Sequence, residues 1–172
     1  YGLSPKGERA LFSARGDIFT APIEHGPTRN LTNSSNAHDK HPAWSPDGRR
    51  IAFVSDASGE EQIWLVPQDG SAPATQLTRD FAVMLYQPDW AADGKALAIS
   101  DKDGKLHVVD VASGNATLVA DEERGQLRDH TWSPCGMWLA FSLSDANGYR
   151  SLWLWSREKA SLHRVTDELL HE

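Results

Sequence analysis

The run His38-Asp39-Lys40-His41 sets two imidazoles and a carboxylate close together, the side chains that bind zinc and related metals. Its spacing works against such a site. No helix brings positions i and i+3 to one face here, and along a strand side chains alternate, so His38 and His41 are expected on opposite sides. The run is read instead as the polar lining of a strand, with no metal. Serine, histidine and aspartate are abundant, yet no G-x-S-x-G elbow occurs and no catalytic triad is readable. The glycines fall one per turn and form no phosphate-cradling loop. Cys135 is the single cysteine, which removes intrachain disulfides and cysteine-based zinc sites. It occupies a turn position with no base to activate it, so it is not read as a nucleophile. Asp56 and Asp110, at strand ends, are expected to accept hydrogen bonds from turn amides. The expectation is a chain with no catalytic residue and no cofactor.

What positions these side chains is a repeated turn. Ser4-Pro5-Lys6-Gly7, Ser45-Pro46-Asp47-Gly48, Ala91-Ala92-Asp93-Gly94 and Ser133-Pro134-Cys135-Gly136 are four versions of it, the last three directly after Trp44, Trp90 and Trp132. They start at residues 4, 45, 91 and 133, spaced by 41, 46 and 42. Such a period, with four strand-like runs per unit, is the signature of a β-propeller blade. In the second unit the runs are Pro42-Ala43-Trp44, Arg50 to Ser55, Gln62 to Val66 and Thr75 to Thr78, joined by short connections that favour antiparallel neighbours. The other units read the same way, and no stretch shows a 3.6-residue apolar period. The fold class is therefore all-β: a propeller fragment of four blades, each a four-stranded antiparallel sheet. The blades are placed at about 1–36, 37–80, 81–122 and 123–167, in one propeller segment spanning 1–172.

A sheet of about 40 residues cannot bury both faces alone and gains an apolar layer from each neighbour. Trp44, Trp90 and Trp132 recur at one register and are read as packing between blades. Trp64 and Trp153 align with each other and receive the same reading. Leu11, Ile51, Leu97 and Leu139 are expected to coincide in register, as are Phe53, Ile99 and Phe141, with Phe12 within one residue of them.

In a propeller the first strand of each blade lines the central channel. Counting back four residues from each tryptophan gives Lys40, Tyr86 and Arg128, and counting back three gives His41, Gln87 and Asp129. These six are the candidate channel and peptide-contact residues. Lys40 and Arg128, with Arg124 nearby in sequence, are expected to give the channel a cationic spot for a peptide carboxylate, a group that the arginine fork suits.

Composition limits the partners. A formal charge of -7 excludes a general nucleic-acid binder and docking on an anionic membrane surface. No run of 18 apolar residues exists to form a membrane-spanning helix. The chain starts at Tyr1 without methionine and stops at Asp167-Glu168-Leu169-Leu170-His171-Glu172, where a further repeat would begin. Both ends are read as cuts through a longer protein, which leaves a signal peptide and the compartment, bacterial cytoplasm or periplasm, open. An open arc of blades exposes faces and strand edges, and pairing of two chains into an eight-bladed ring is an expected form of self-association.

The W-S-P-D-G turn followed by Ile51-Ala52-Phe53-Val54-Ser55-Asp56 resembles the TolB-like, or PD40, propeller repeat and lacks the Gly-His and Trp-Asp marks of WD40. The strings from Ser4 to Pro22, Gly26-Pro27-Thr28-Arg29-Asn30-Leu31-Thr32 and Val66-Pro67-Gln68-Asp69-Gly70 resemble a propeller of tricorn protease homologues, in the S41 peptidase family. The likeness covers the whole chain and fits the second, seven-bladed propeller best. It departs from the repeat consensus at Ala91-Ala92 and at Cys135. The resemblance implies a non-catalytic portion of a serine peptidase that gates or routes peptides, with peptides and the rest of the parent protein as partners. Two alternatives stay open: a TolB-like protein-interaction propeller, and the propeller of a prolyl-oligopeptidase-type hydrolase.

Overall fold

The computed structural model describes residues 1–146 and 148–166. The final stretch, 167–172, read above as the start of a further repeat, lies outside the described residues. Sixteen strands form four sheets and, among the described residues, there is no helix. The first sheet holds β1 (Gly2–Leu3), β2 (Arg9–Ala14), β3 (Asp17–Pro22) and β4 (Arg29–Asn30). The second holds β5 (Asp39–Trp44), β6 (Arg50–Ser55), β7 (Gln62–Pro67) and β8 (Thr75–Gln76). The third holds β9 (Asp89–Trp90), β10 (Ala96–Ser100), β11 (Lys105–Asp110) and β12 (Ala116–Asp121). The fourth holds β13 (Thr131–Trp132), β14 (Trp138–Ser144), β15 (Arg150–Ser156) and β16 (Ser161–Arg164). Within each sheet the strands pair antiparallel in sequence order, and no strand crosses to another sheet. The first strands of successive sheets approach one another, β1 to β5, β5 to β9 and β9 to β13, while the fourth strands do not meet to the same extent. Sheets that converge at their first strands and splay at their fourth are blades around an axis, the four-bladed all-β arc that the repeats predict.

The repeated turn is built alike each time. Gly48 N–H donates to Ser45 C=O at 2.9 Å, and Gly7, Gly94 and Gly136 do the same to Ser4, Ala91 and Ser133 at 2.8 Å. Gly48 sits at φ 69° and Gly136 at φ 69°, the left-handed region where a β-carbon is penalised. The serine hydroxyl locks the turn a second time by accepting the amide five residues on, Arg50 N–H at 2.9 Å and Trp138 N–H at 3.0 Å. In the second unit Asp47 caps the loop, accepting Ser45 Oγ–H at 2.6 Å and Arg49 N–H at 3.0 Å. In the fourth, Cys135 Sγ takes that place beside Ser133 Oγ at 3.3 Å.

The pairing corrects one alignment. Ile51, Leu97 and Leu139 each lie opposite the turn tryptophan, Trp44, Trp90 and Trp132, whereas the residue opposite Leu3 is Ala10. Leu11 therefore shares its register with Ala52, Ala98 and Ala140, one position away from where the sequence reading put it. The reason is the two-fold alternation of a strand: a shift of one residue moves a side chain to the other face. Leu11 accordingly points forward into the second sheet, and Phe12, opposite Phe19, takes the place held by Phe53 opposite Trp64 and by Phe141 opposite Trp153.

Three apolar layers fill the spaces between sheets. Leu11, Ile18 and Leu31 meet Ile51, Phe53 and Val66 between the first and second. Val54, Ile63 and Leu65 meet Leu97, Ile99 and Trp90 between the second and third. Leu106, Val108 and Ala120 meet Leu139, Phe141 and Trp155 between the third and fourth. Two turn tryptophans also bind the neighbouring blade: Trp90 Nε1–H donates to Ala43 C=O at 3.2 Å and Trp132 Nε1–H to Asp89 C=O at 3.1 Å. The repeat thus supplies both an apolar plate and a polar hook, and both link successive blades.

Candidate functional site

The first strands are less regular than the repeat implies. Only β5 is long; β1, β9 and β13 are two residues each, and Tyr86, Gln87, Arg128 and Asp129 lie in extended segments ahead of β9 and β13. The backbone of this inner edge is nevertheless held. Tyr86 N–H donates to Ser100 C=O at 2.9 Å. Glu61, in the hairpin between β6 and β7, accepts Leu85 N–H at 2.7 Å through one carboxylate oxygen. In β5 the register slips between Lys40 and Ala43, and His41 sits at φ 53°, a left-handed position uncommon for a residue with a side chain. This bulge breaks the simple alternation, so the sequence argument that set His38 against His41 by strand parity does not hold through it.

Four of the six candidate residues come together. Arg128 places its guanidinium carbon 4.0 Å from the centroid of the Tyr86 ring, joining the lead-in segments of the third and fourth sheets. Lys40 Nζ lies 2.6 Å from the other Glu61 carboxylate oxygen. His41 lies within the field of these groups. Burial lowers the imidazole's pKa first, the charges of Lys40, Arg128 and His38 lower it further, and Glu61 opposes them. Burial and the neighbouring positive charges thus favour the uncharged form of this ring.

The other two candidates face elsewhere, as neighbours in an extended chain must. Gln87 is exposed at the rim of a cleft that Pro42, Trp44 and Trp90 also line. Asp129 accepts the Ser142 hydroxyl and pairs with Arg150 at 3.3 Å, so its charge is spent on the fourth sheet. Arg124 does not add to the cationic spot: its guanidinium donates to the carbonyls of Asp145 and Ala146, at 3.1 and 2.8 Å, bracing the β14–β15 hairpin. Lys40 is likewise less available than its charge suggests. Sequence reasoning missed Glu61, its partner, because the two are 21 residues apart and the hairpin between them reads only as polar.

Several other acids and one histidine are tied to nearby groups. Asp39 is buried and accepts the Ser34 hydroxyl at 2.7 Å. Among the described residues no three metal-binding side chains are placed to hold an ion. Asp110 takes the amides of Ala112 and Ser113 at 3.1 and 2.8 Å, which holds its carboxyl below the ordinary range. Asp56 accepts an amide too, at 2.7 Å, but that of His38 on the preceding loop instead of its own hairpin. His130 is held well inside, and burial lowers its pKa against the opposing charge of Asp129.

Comparison with known proteins places this geometry. The family described as tricorn protease second beta propeller domain matches residues 1–172. Tricorn protease homolog 1 of Streptomyces coelicolor is 33% identical over 96 residues, which is 56% of this chain and 9% of that protein. An uncharacterised protein of Agrobacterium fabrum is 29% identical over 157 residues, covering 82% of this chain and 53% of its own length. This chain thus spans about a tenth and about half of the curated relatives it matches. Among solved structures, the tricorn protease superposes with a TM-score of 0.77 at 15% identity, over 95% of this chain and 16% of that one. A TolB homologue from Agrobacterium tumefaciens superposes with a TM-score of 0.74 at 21% identity, over 97% and 61%. At these identities the superpositions establish the fold.

Proposed function

We propose, because this chain belongs to the family of tricorn protease second β-propeller domains, that it is the non-catalytic propeller portion of a tricorn-like serine peptidase and routes peptide substrates along its inner edge. The observation that carries the reading is convergence. Side chains from the second, third and fourth blades, Lys40, His41, Tyr86 and Arg128, gather where the first strands meet, while the apolar residues lie between the sheets. A polar wall on rigid blades suits a passage for peptides of many sequences, since it offers hydrogen bonds without a deep apolar pocket that would retain them. Gln87 and Asp129 stand beside this wall as secondary contacts. The partners on this reading are peptide segments and the remainder of the parent peptidase.

The test uses the full-length protein. Gln87→Trp adds bulk at an exposed position beside the inner edge. It should slow hydrolysis of an extended peptide while leaving hydrolysis of a short chromogenic substrate unchanged. Equal rates for the extended peptide before and after the substitution, or an equal fall for both substrates, would count against routing through this edge.

A further inference from the structure

We infer that Arg128, laid on the Tyr86 ring, is the receptor for a carboxylate carried by the passing peptide, and that Lys40 is not. The inference rests on the peptide-routing reading and adds a substrate class to it.

Most cations near the inner edge and the fourth sheet already have partners. Lys40 has a carboxylate partner, Glu61, at 2.6 Å. Arg124 donates to backbone carbonyls, Arg150 pairs with Asp129, and Arg157 with Asp93 at 2.8 Å. Arg128 is exposed, and among the described residues it makes neither an ion pair nor a hydrogen bond; its contact is the Tyr86 face. Where the first strands converge, Arg128 thus differs from Lys40: its charge has no acidic partner among the described residues and is open to a ligand.

Geometry then says how that ligand would be held. The guanidinium carbon lies over the Tyr86 ring, 4.0 Å from its centroid, within cation–π range. Stacking uses the face and leaves the in-plane N–H fork free, and that fork matches a carboxylate with two parallel hydrogen bonds. The stack also fixes the side chain in advance, which lowers the ordering cost of binding. Tyr86 is itself fixed: its amide is bonded to Ser100, and its hydroxyl is turned into the protein. Glu61 compensates Lys40 and leaves Arg128 as the attractive centre. The carboxylate can be a peptide C-terminus or an aspartate or glutamate side chain, and the experiment separates them.

Three forms of one fluorescent peptide are mixed with the full-length protein in a stopped-flow, and binding is read by anisotropy before hydrolysis proceeds. One form has a free C-terminal carboxylate and no acidic side chain. The second has a C-terminal amide, and the third has the amide and one internal glutamate. At least one carboxylate form should bind about tenfold or more tightly than the neutral amide, the size of one charge-assisted hydrogen bond. Which one does so identifies the source. Arg128→Ala should abolish the difference, Arg128→Lys should restore only part of it because the fork and stack are lost, and Lys40→Ala should leave most of it. Equal binding of all three forms to the unsubstituted protein, or a preference that survives Arg128→Ala, overturns the inference while leaving peptide routing in place. No binding of any form overturns both. Arg128→Gln, which keeps the length of the side chain, guards against a folding defect in the alanine variant.

Discussion

The spaces between blades and the inner edge are made from the same repeat, yet they are governed by different rules. Between the second and third sheets Leu97 and Ile99 of β10 are fully buried, and the layer is aliphatic apart from Trp90 and Phe81. At the inner edge, a few residues upstream of the same turns, the side chains are Lys40, His41, Tyr86 and Arg128, held by Glu61, a bulge and an aromatic stack. One region gains its free energy from area removed from water, which any well-fitting apolar residue supplies. The other gains little stability from its exposed charges and keeps them where a ligand can reach. The lesson is that recurrence marks packing in this fold, whereas departure from recurrence marks the candidate site.

Substitutions can break this contrast in order of expected effect. Phe53→Ala empties the layer between the first two blades, where Phe53 is 1% exposed, and should cost about 3–5 kcal/mol in chemical unfolding. Gly114→Ala attacks the path of the chain between blades: a β-carbon there would stand 2.1 Å from the Leu77 carbonyl oxygen, at φ 77°. The backbone conformation alone should cost about 1–3 kcal/mol, with the clash added to it. Ser45→Ala removes the hydroxyl that locks the turn through Arg50 N–H and should cost about 1 kcal/mol by the same measurement. Arg128→Ala should change stability by less than about 1 kcal/mol, since this exposed residue loses only its contact with the Tyr86 ring. A large loss of stability on that last substitution would place the inner edge among the structural parts.

Acidity sharpens the contrast in another way. His130, His107 and His41 all have pKa values lowered by burial from the ordinary 6.5, so the folded chain prefers their neutral rings. The unfolded chain takes up protons near 6.5, and the folded chain does so only at lower pH. Stability from these groups is therefore complete above that value and is lost as pH falls below it. Thermal unfolding at pH 7.5 and pH 5.5 should show the lower melting temperature at pH 5.5. His130→Asn should reduce the difference.

Much of the fold was legible because the turn, the tryptophan and the strand that follows recur at one spacing, and four repetitions average out local accidents. The first blade shows the limit of that method. It lacks the tryptophan, and the alignment of Leu11 with Ile51, Leu97 and Leu139 is one residue off. At the inner edge, counting back from the tryptophans singles out Lys40, Tyr86 and Arg128, but strand parity does not carry the count, since β5 is bulged and Tyr86 and Arg128 precede β9 and β13. The sequence could not supply Glu61, whose hairpin folds back from 21 residues away, nor the bulge at His41, nor the capture of Arg124 by the Asp145 and Ala146 carbonyls. Each depends on a long-range contact that no local period encodes.

The central claim, that peptides travel along the inner edge, is tested most directly by photocrosslinking a peptide with a reactive group to the full-length protein and mapping the adducts by mass spectrometry. The account predicts adducts at and around Lys40–His41, Tyr86–Gln87 and Arg128–Asp129. Adducts confined within this chain to the fourth strands β4, β8, β12 and β16, or absent from it while other parts of the protein are labelled, would contradict it.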